Sequence, residues 1–225
     1  MTNDSEKSTE LLIETLLNGK EIADRRNAAM ALGNLKEEKA IEPMIQALGD
    51  HEDVAIFASL GLVKIGGAAV PYLRKSLKSF NEQIRGYSAE ILGELEAHSA
   101  LEDLIEVIEK DDSNWVKNSA VEAIGRLKSP HTVDLLTNLL KSKNNWIVVS
   151  SALALHRMGY SHGLADVLVD KLFTENEIER GITAWALVEI CQKSDKAKIQ
   201  KLAENTSDYH LETILNEIVR GISLK

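Results

Sequence analysis

Apolar and small residues recur three and four positions apart in blocks along the chain, and polar turns separate the blocks. In one block they are Ala28, Ala31, Leu32 and Leu35, and a second block opens at residues 40–45. Such spacing places one apolar stripe on the side of a helix. The pattern therefore predicts an all-α chain in which a first helix and a second helix alternate.

The helix pair recurs about every 31 residues, and we count six copies. Residues 25–35 read Arg-Arg-Asn-Ala-Ala-Met-Ala-Leu-Gly-Asn-Leu, and residues 85–95 and 117–127 repeat this phrase closely. The position of Gly33 corresponds in the later copies to Val63, Gly93, Gly125, His156 and Val188. A fixed period of this size is typical of a stacked repeat array.

The period predicts a right-handed α–α superhelix, a solenoid of about six helix pairs with a capping helix at each end. We expect a single body over residues 1–225, because each repeat of a solenoid extends one continuous core. Residues 1–20 form the N-terminal capping helix in this prediction, residues 21–205 the six repeats, and residues 206–225 the C-terminal capping helix.

Composition narrows the function classes. The chain has 225 residues, 44% of them hydrophobic, and a net charge of −9. We expect no general nucleic-acid binding, because phosphate attraction needs a basic face. The one cysteine, Cys191, rules out an internal disulfide and is expected to be buried. The polar N-terminus and the lack of an apolar run near 20 residues lead us to expect a cytoplasmic protein without a membrane partner.

The repeated phrase resembles the HEAT repeat. The shared features are Arg or Lys, then Ala, then Ala-Leu-Gly-x-Leu, followed by a second helix that opens Ala-Ile or Ala-Leu, over roughly residues 22–205. It is most similar to the short repeats of phycobilin lyase subunits and of small bacterial and archaeal scaffold proteins. The resemblance implies a protein-interaction platform whose second helices line the concave face.

Some HEAT-like proteins are enzymes, so their sites were sought in the sequence. Deoxyhypusine hydroxylase relatives bind two iron ions through repeated His-Glu pairs inside first helices. Here the one such pair, His51-Glu52, falls in a turn before its helix. His156 and His162 are separated by a turn and are expected on the surface. We therefore predict no catalytic residue, no metal and no cofactor.

Acidic residues at corresponding positions of the second helices are candidate partner-binding residues, and so are two tryptophans that open consecutive first helices. The residues are Glu42, Glu102, Glu106, Asp134, Asp166, Asp170, Trp115 and Trp146. The acids either form a track for a partner or are ordinary solvated residues that favour the helix dipole. The tryptophans either form a binding platform or pack at the joint between repeats. A third tryptophan, Trp185, is expected in the core.

The function expected from these features is non-catalytic protein binding, as a scaffold, adaptor or assembly factor. The expected partner is a protein with a basic or mixed-charge segment, which an acidic track would attract. The alternative is a bilin-lyase-type or other cofactor-handling accessory enzyme.

Overall fold

The computed structural model describes residues 2–224, with side chains from residue 6 onward. No strand occurs in this described part of the chain, and most of it is helical, so the all-α prediction is confirmed. The chain forms two compact units, an N-terminal unit of Met1–Leu127 and a C-terminal unit of Lys128–Lys225. The prediction of one body over 1–225 stays a prediction.

The N-terminal unit begins with a terminal helix, after which first helices (α2, α4, α6, α8) alternate with second helices (α3, α5, α7). Its helices are α1 (Thr2–Asn18), α2 (Ile22–Leu35), α3 (Ile41–Ala47), α4 (Glu52–Ile65), α5 (Val70–Ser76), α6 (Glu82–Glu94), α7 (Leu101–Lys110) and α8 (Asn114–Leu127). The helices fall where the 31-residue period predicts them.

In the C-terminal unit the same alternation continues and ends in a last helix within residues 206–225. Its helices are α9 (Val133–Leu139), α10 (Asn145–Arg157), α11 (Leu164–Lys171), α12 (Glu177–Ile190), α13 (Lys196–Asn205) and α14 (Tyr209–Ser223). Helix α14 packs against α12 and α13, and buries Leu211, Leu215 and Ile218. That burial is what a capping helix must provide.

Turn chemistry fixes where the helices begin. Asn81 caps α6, because its side-chain oxygen accepts hydrogen bonds from the backbone N–H groups of Gln83 and Ile84. Asn144 and Asn176 cap α10 and α12 in the same way. A capping side chain contributes about 1 kcal/mol to helix stability. The caps therefore place each first helix at a defined point after the preceding turn.

Close packing of first helices dominates the N-terminal unit. A Cβ added at Gly33 would lie 2.5 Å from the Cα of Gly61, and one at Gly93 would lie 2.7 Å from the Cα of Ala123. Helices α2 and α4 therefore meet backbone to backbone, as do α6 and α8. Neighbouring second helices of this unit touch much less. Gly33 and Gly93 therefore serve this close packing.

Small residues at the Ala28 position let the layers of first and second helices approach. All six are buried, and they are Ala28, Ala58, Ser88, Ala120, Ser151 and Thr183. The Ser88 hydroxyl lies 2.7 Å from the hydroxyl of Ser76 on the second helix α5. This position therefore faces the second helices, and a larger side chain would separate the two layers.

An arginine at the start of a first helix joins the turn before that helix to the turn after the following second helix. Arg25 donates two hydrogen bonds to the Asp50 carboxylate, at 2.6 and 2.8 Å, and a third to the Gly19 carbonyl. Arg85 and Asp111 repeat the geometry at 2.7 and 3.0 Å. The Arg25 guanidinium lowers the pKa of Asp50 through its hydrogen bonds.

One segment, Glu52–Ser76, is long and apolar enough to cross a membrane, judged by length and composition alone. The expectation that no run approaches such a span is corrected in that respect. In the structure the segment is α4, a 3₁₀ turn and α5. Val54, Ala58 and Leu62 of α4 are fully buried, and 33% of the most apolar part of the segment is buried in the fold.

Candidate functional site

One row of positions crosses the four first helices of the N-terminal unit. It lies three residues before the Gly33 position, at Met30, Leu60, Glu90 and Glu122. We call these four residues the central row. They belong to the closely packed layer, whereas the resemblance implied that second helices carry the binding face. The expectation that second helices carry the binding face stays a prediction, and the first-helix row is a second candidate surface.

Contacts between α2 and α4 hold the aliphatic half of the row in place. The Arg26 guanidinium carbon lies 5.9 Å from the centre of the Phe57 ring, one turn before the row. One turn after it, the Lys64 ammonium donates a hydrogen bond to the Asn34 side-chain oxygen at 2.8 Å. Met30 and Leu60 lie on the helical turns between these two contacts, which hold α2 and α4 together on either side of them.

The aliphatic half is unusually accessible for apolar side chains on a packed layer. Met30 is 44% exposed and Leu60 is 52% exposed, and Ile56 on the neighbouring turn of α4 is also exposed. Single exposed apolar residues are common, but adjacent ones on packed helices form a patch. Such a patch is typical of a surface that binds another apolar surface.

The other half of the row begins with an aromatic pair. The rings of Tyr87 on α6 and Trp115 on α8 meet edge to face, with centroids 5.6 Å apart. The indole packs over Gly86, where a Cβ would clash with it, and it remains 37% exposed. Trp115 therefore packs between the first helices α6 and α8 of neighbouring repeats.

Beside the aromatic pair lie the two acids of the row. Glu90 accepts a hydrogen bond from the Ser119 hydroxyl at 2.9 Å, and Glu122 accepts one from the Asn118 amide at 2.9 Å. Burial raises the pKa of Glu90, and the nearby Glu122 raises it further, while the Ser119 hydrogen bond lowers it. The protein thus holds two carboxylates close together in a partly desolvated place.

One turn further along the same helices the charges cancel. Arg126 on α8 bonds Glu94 on α6 at 2.9 Å. The face of the N-terminal unit therefore has an aliphatic half on α2 and α4, and an aromatic and acidic half on α6 and α8. Such a surface can bind an apolar group and a cation.

The structure places the predicted second-helix acids on the surface. The four in first helical turns are exposed, and they are Glu42, Glu102, Asp134 and Asp166. Asp170 is also exposed. Glu106 lies 3.1 Å from Lys110 and 3.3 Å from Lys78, which lower its pKa in that order, and Asp166 pairs with Lys198. Lysines thus neutralise part of the proposed track, and its role in binding stays a prediction.

Two further tryptophans lie in the C-terminal unit. Trp146, in the first turn of α10, is exposed. Trp185 of α12 is 57% exposed, so its predicted core position is wrong. Its place in the repeat explains the error, because it occupies the position that Met30 and Leu60 hold in the N-terminal unit.

No cluster of three or more metal-binding side chains occurs in the part of the chain that the structure describes. His51 caps α4 and accepts a hydrogen bond from the Asp53 N–H, as its place before the helix predicted. Cys191 is buried, as expected. The lack of a resident metal or cofactor stays a prediction.

The sequence model of the HEAT repeats matches residues 9–85 and 70–156, which together exceed half of the chain. The chain is a HEAT-repeat protein. Its sequence alone had predicted this family from the phrase at residues 25–35 and its copies.

Three curated proteins show where similar repeats occur. A HEAT repeat-containing taxis protein of Halobacterium salinarum is 30% identical over 52% of this chain. Two phycocyanobilin lyase beta subunits, from Thermosynechococcus vestitus and Nostoc sp., are 30% and 31% identical over 46% and 50% of this chain. The matched regions span 31%, 49% and 58% of these relatives.

Solved structures agree on the fold. The complex of CpcE and CpcF of phycocyanin lyase from Nostoc sp. matches with a TM-score of 0.59 at 20% identity, over 95% of this chain and 94% of that one. An archaeal HEAT-like repeats protein from Thermococcus onnurineus matches with a TM-score of 0.51 at 14% identity, over 96% and 97%. At these identities the likeness establishes the fold.

Proposed function

We propose that this protein is a non-catalytic scaffold or adaptor that binds a protein partner on the first-helix face of its N-terminal unit. The observation that carries the proposal is the exposed aliphatic patch of Met30, Ile56 and Leu60 on a closely packed helical layer. Apolar side chains held on a rigid support lose little entropy when they bind, so they make efficient anchors.

The surroundings of the patch support a binding role. The cross-helix contacts on either side of it, at Arg26 with Phe57 and at Lys64 with Asn34, order the side chains before any partner arrives. Large side chains of the kind that dominate interface energetics lie next to it, at Tyr87 and Trp115. HEAT repeats themselves supply the rigid, regularly spaced helices for such a surface.

A bilin-handling role is the second candidate, and the similarity to two phycocyanobilin lyase beta subunits favours it. A tetrapyrrole would need a pocket large enough to hold it and a side chain that orients it there. A change in the visible absorption of phycocyanobilin on mixing with the purified protein, at one equivalent, would support this role over that of an adaptor.

The patch can be tested by comparing partner capture by wild type and by Leu60→Gln. We expect the variant to capture the main partner from lysate of the source cells about tenfold less well, since losing a buried aliphatic anchor costs about 1–2 kcal/mol. Quantitative mass spectrometry of the captured proteins measures the loss.

The matched control is Leu11→Gln on α1, where the leucine is also exposed. This change should leave capture within about twofold of wild type, because a residue outside an interface contributes little to binding. Equal capture by wild type, Leu60→Gln and Leu11→Gln would show that the partner does not use the α2–α4 patch.

A further inference from the structure

Along the central row of the N-terminal unit, the side chains change from aliphatic to acidic. Met30 and Leu60 present exposed aliphatic groups, whereas Glu90 and Glu122 present carboxylates at the same positions of the next two first helices. The order is fixed by the fold, because the row crosses α2, α4, α6 and α8 in sequence. A ligand on the row therefore meets an apolar half and an acidic half, in that order.

The acidic half has the features of a site for one or two cationic side chains. Two carboxylates lie beside the edge-to-face pair of Tyr87 and Trp115, whose indole face is partly exposed. Aromatic faces attract Lys and Arg, and a nearby carboxylate adds to that attraction. Burial and, to a smaller extent, the nearby Glu122 raise the pKa of Glu90. A bound cation would relieve the repulsion between the two carboxylates.

The positively charged side chains near the central row already have partners within the protein. Arg126 bonds Glu94, Lys64 bonds the Asn34 side chain, and Arg26 lies over Phe57. These side chains hold neighbouring helices together one turn before or after the central row. The charge of the central row therefore comes from its two glutamates. A ligand that complements the row has a basic part next to an apolar part.

We infer that the central row binds an amphipathic protein segment, with apolar side chains on Met30 and Leu60 and with Lys or Arg on Glu90 and Glu122. This inference rests on the proposed function and names the chemistry of its partner. Helices α2 and α4 pack closely, as do α6 and α8, whereas α4 and α6 touch much less. Since packed helices lie about 8–10 Å apart, the four first helices span roughly 25–30 Å or somewhat more. A helical segment of about 20 residues covers that distance.

The test uses a synthetic helical peptide of about 20 residues, with leucines on one face of its first half and lysines on the same face of its second half. A matched peptide carries glutamates in place of the lysines. Fluorescence anisotropy with the full-length protein should give at least about tenfold tighter binding of the lysine peptide. The preference should shrink as salt rises, because exposed charges become screened.

The decisive variant is Glu90→Gln with Glu122→Gln, which keeps side-chain size and one acceptor oxygen on each residue. It should lose most of the preference for lysine over glutamate and still fold, as circular dichroism would show. The control, Glu42→Gln with Glu102→Gln, changes the same charge on second helices and should keep the preference.

The outcomes separate this inference from the proposed function. If the Glu90 and Glu122 variant keeps the full lysine preference, the inference is wrong, and loss of partner capture by Leu60→Gln would still support the adaptor role. If the second-helix control loses the preference instead, the predicted acidic track on the second helices binds the basic segment, and the inference is likewise overturned.

Discussion

Replacing Gly33 with alanine should destabilise the N-terminal unit by a net of about 1–2 kcal/mol. The added methyl group would lie 2.5 Å from the Gly61 Cα, which is backbone and cannot rotate away. Helices α2 and α4 must then move apart, and overpacking of this kind typically costs 1–3 kcal/mol. The gain of about 1 kcal/mol in helix propensity offsets only part of that cost. Urea unfolding followed by circular dichroism measures the difference.

The control for this prediction is Gly181→Ala. Gly181 is exposed on α12, and a Cβ there would meet no atom within 4 Å. The same substitution should therefore raise stability, by up to about 1 kcal/mol, through helix propensity alone. Equal effects at Gly33 and Gly181 would contradict the backbone-to-backbone contact between α2 and α4.

Replacing Arg85 with alanine should cost about 2–3 kcal/mol of folding free energy. The guanidinium makes two hydrogen bonds to Asp111 and one to the Ser79 carbonyl at 2.8 Å. The Asp111 side chain is only 6% exposed, so the change leaves a carboxylate out of water without its cation. Breaking a buried pair costs 3–5 kcal/mol, and the partial exposure of Arg85 reduces that figure.

Arg74→Ala is the matched control for Arg85→Ala. Arg74 pairs with Asp103, but its side chain is 42% exposed, and exposed pairs contribute about 0–1 kcal/mol. A loss above about 2 kcal/mol in this control, or below about 1 kcal/mol in Arg85→Ala, would contradict the distinction between the two pairs.

The Arg85 clamp also predicts a pH dependence. Burial alone would raise the pKa of Asp111, but hydrogen bonds from Arg85 and from the Ser113 N–H lower it below its ordinary 3.8. A carboxyl whose pKa is lower in the folded than in the unfolded protein stabilises the fold at pH values above its unfolded pKa. This contribution is lost as the pH falls through the folded pKa. The stability gap between wild type and Asp111→Asn should therefore be largest near neutral pH and shrink below about pH 4.

The repeat made most of the fold predictable, because its 31-residue period marks each helix pair. The small residues at the Ala28 position were correctly placed in the core for the same reason. The exposure of Trp185 was not predicted, because an apolar residue among apolar neighbours does not reveal which side of a helix it occupies. Comparison with Glu90 and Glu122 at the same repeat position would have indicated an exposed site, because charged side chains are rarely fully buried.

The close packing of the first helices was not predicted for a related reason. Spacing identifies two helices in each repeat, but it does not show which of them pack most closely. Gly33 and Gly61 carry that information, because both remove a side chain where α2 and α4 meet. Cross-helix pairs such as Glu90 with Ser119 depend on the distance between helices, which sequence periodicity leaves open.

Site-specific photo-crosslinking tests most directly the claim that a partner binds on the first helices. A photoreactive amino acid is placed singly at Leu60, on the first-helix face, and at Thr137, an exposed position of the second helix α9. Mass spectrometry then identifies the partner peptides joined to each. We expect one partner segment, apolar and basic, to be crosslinked from position 60 and to be absent from position 137. Crosslinking of the same segment from position 137, with none from position 60, would contradict the account.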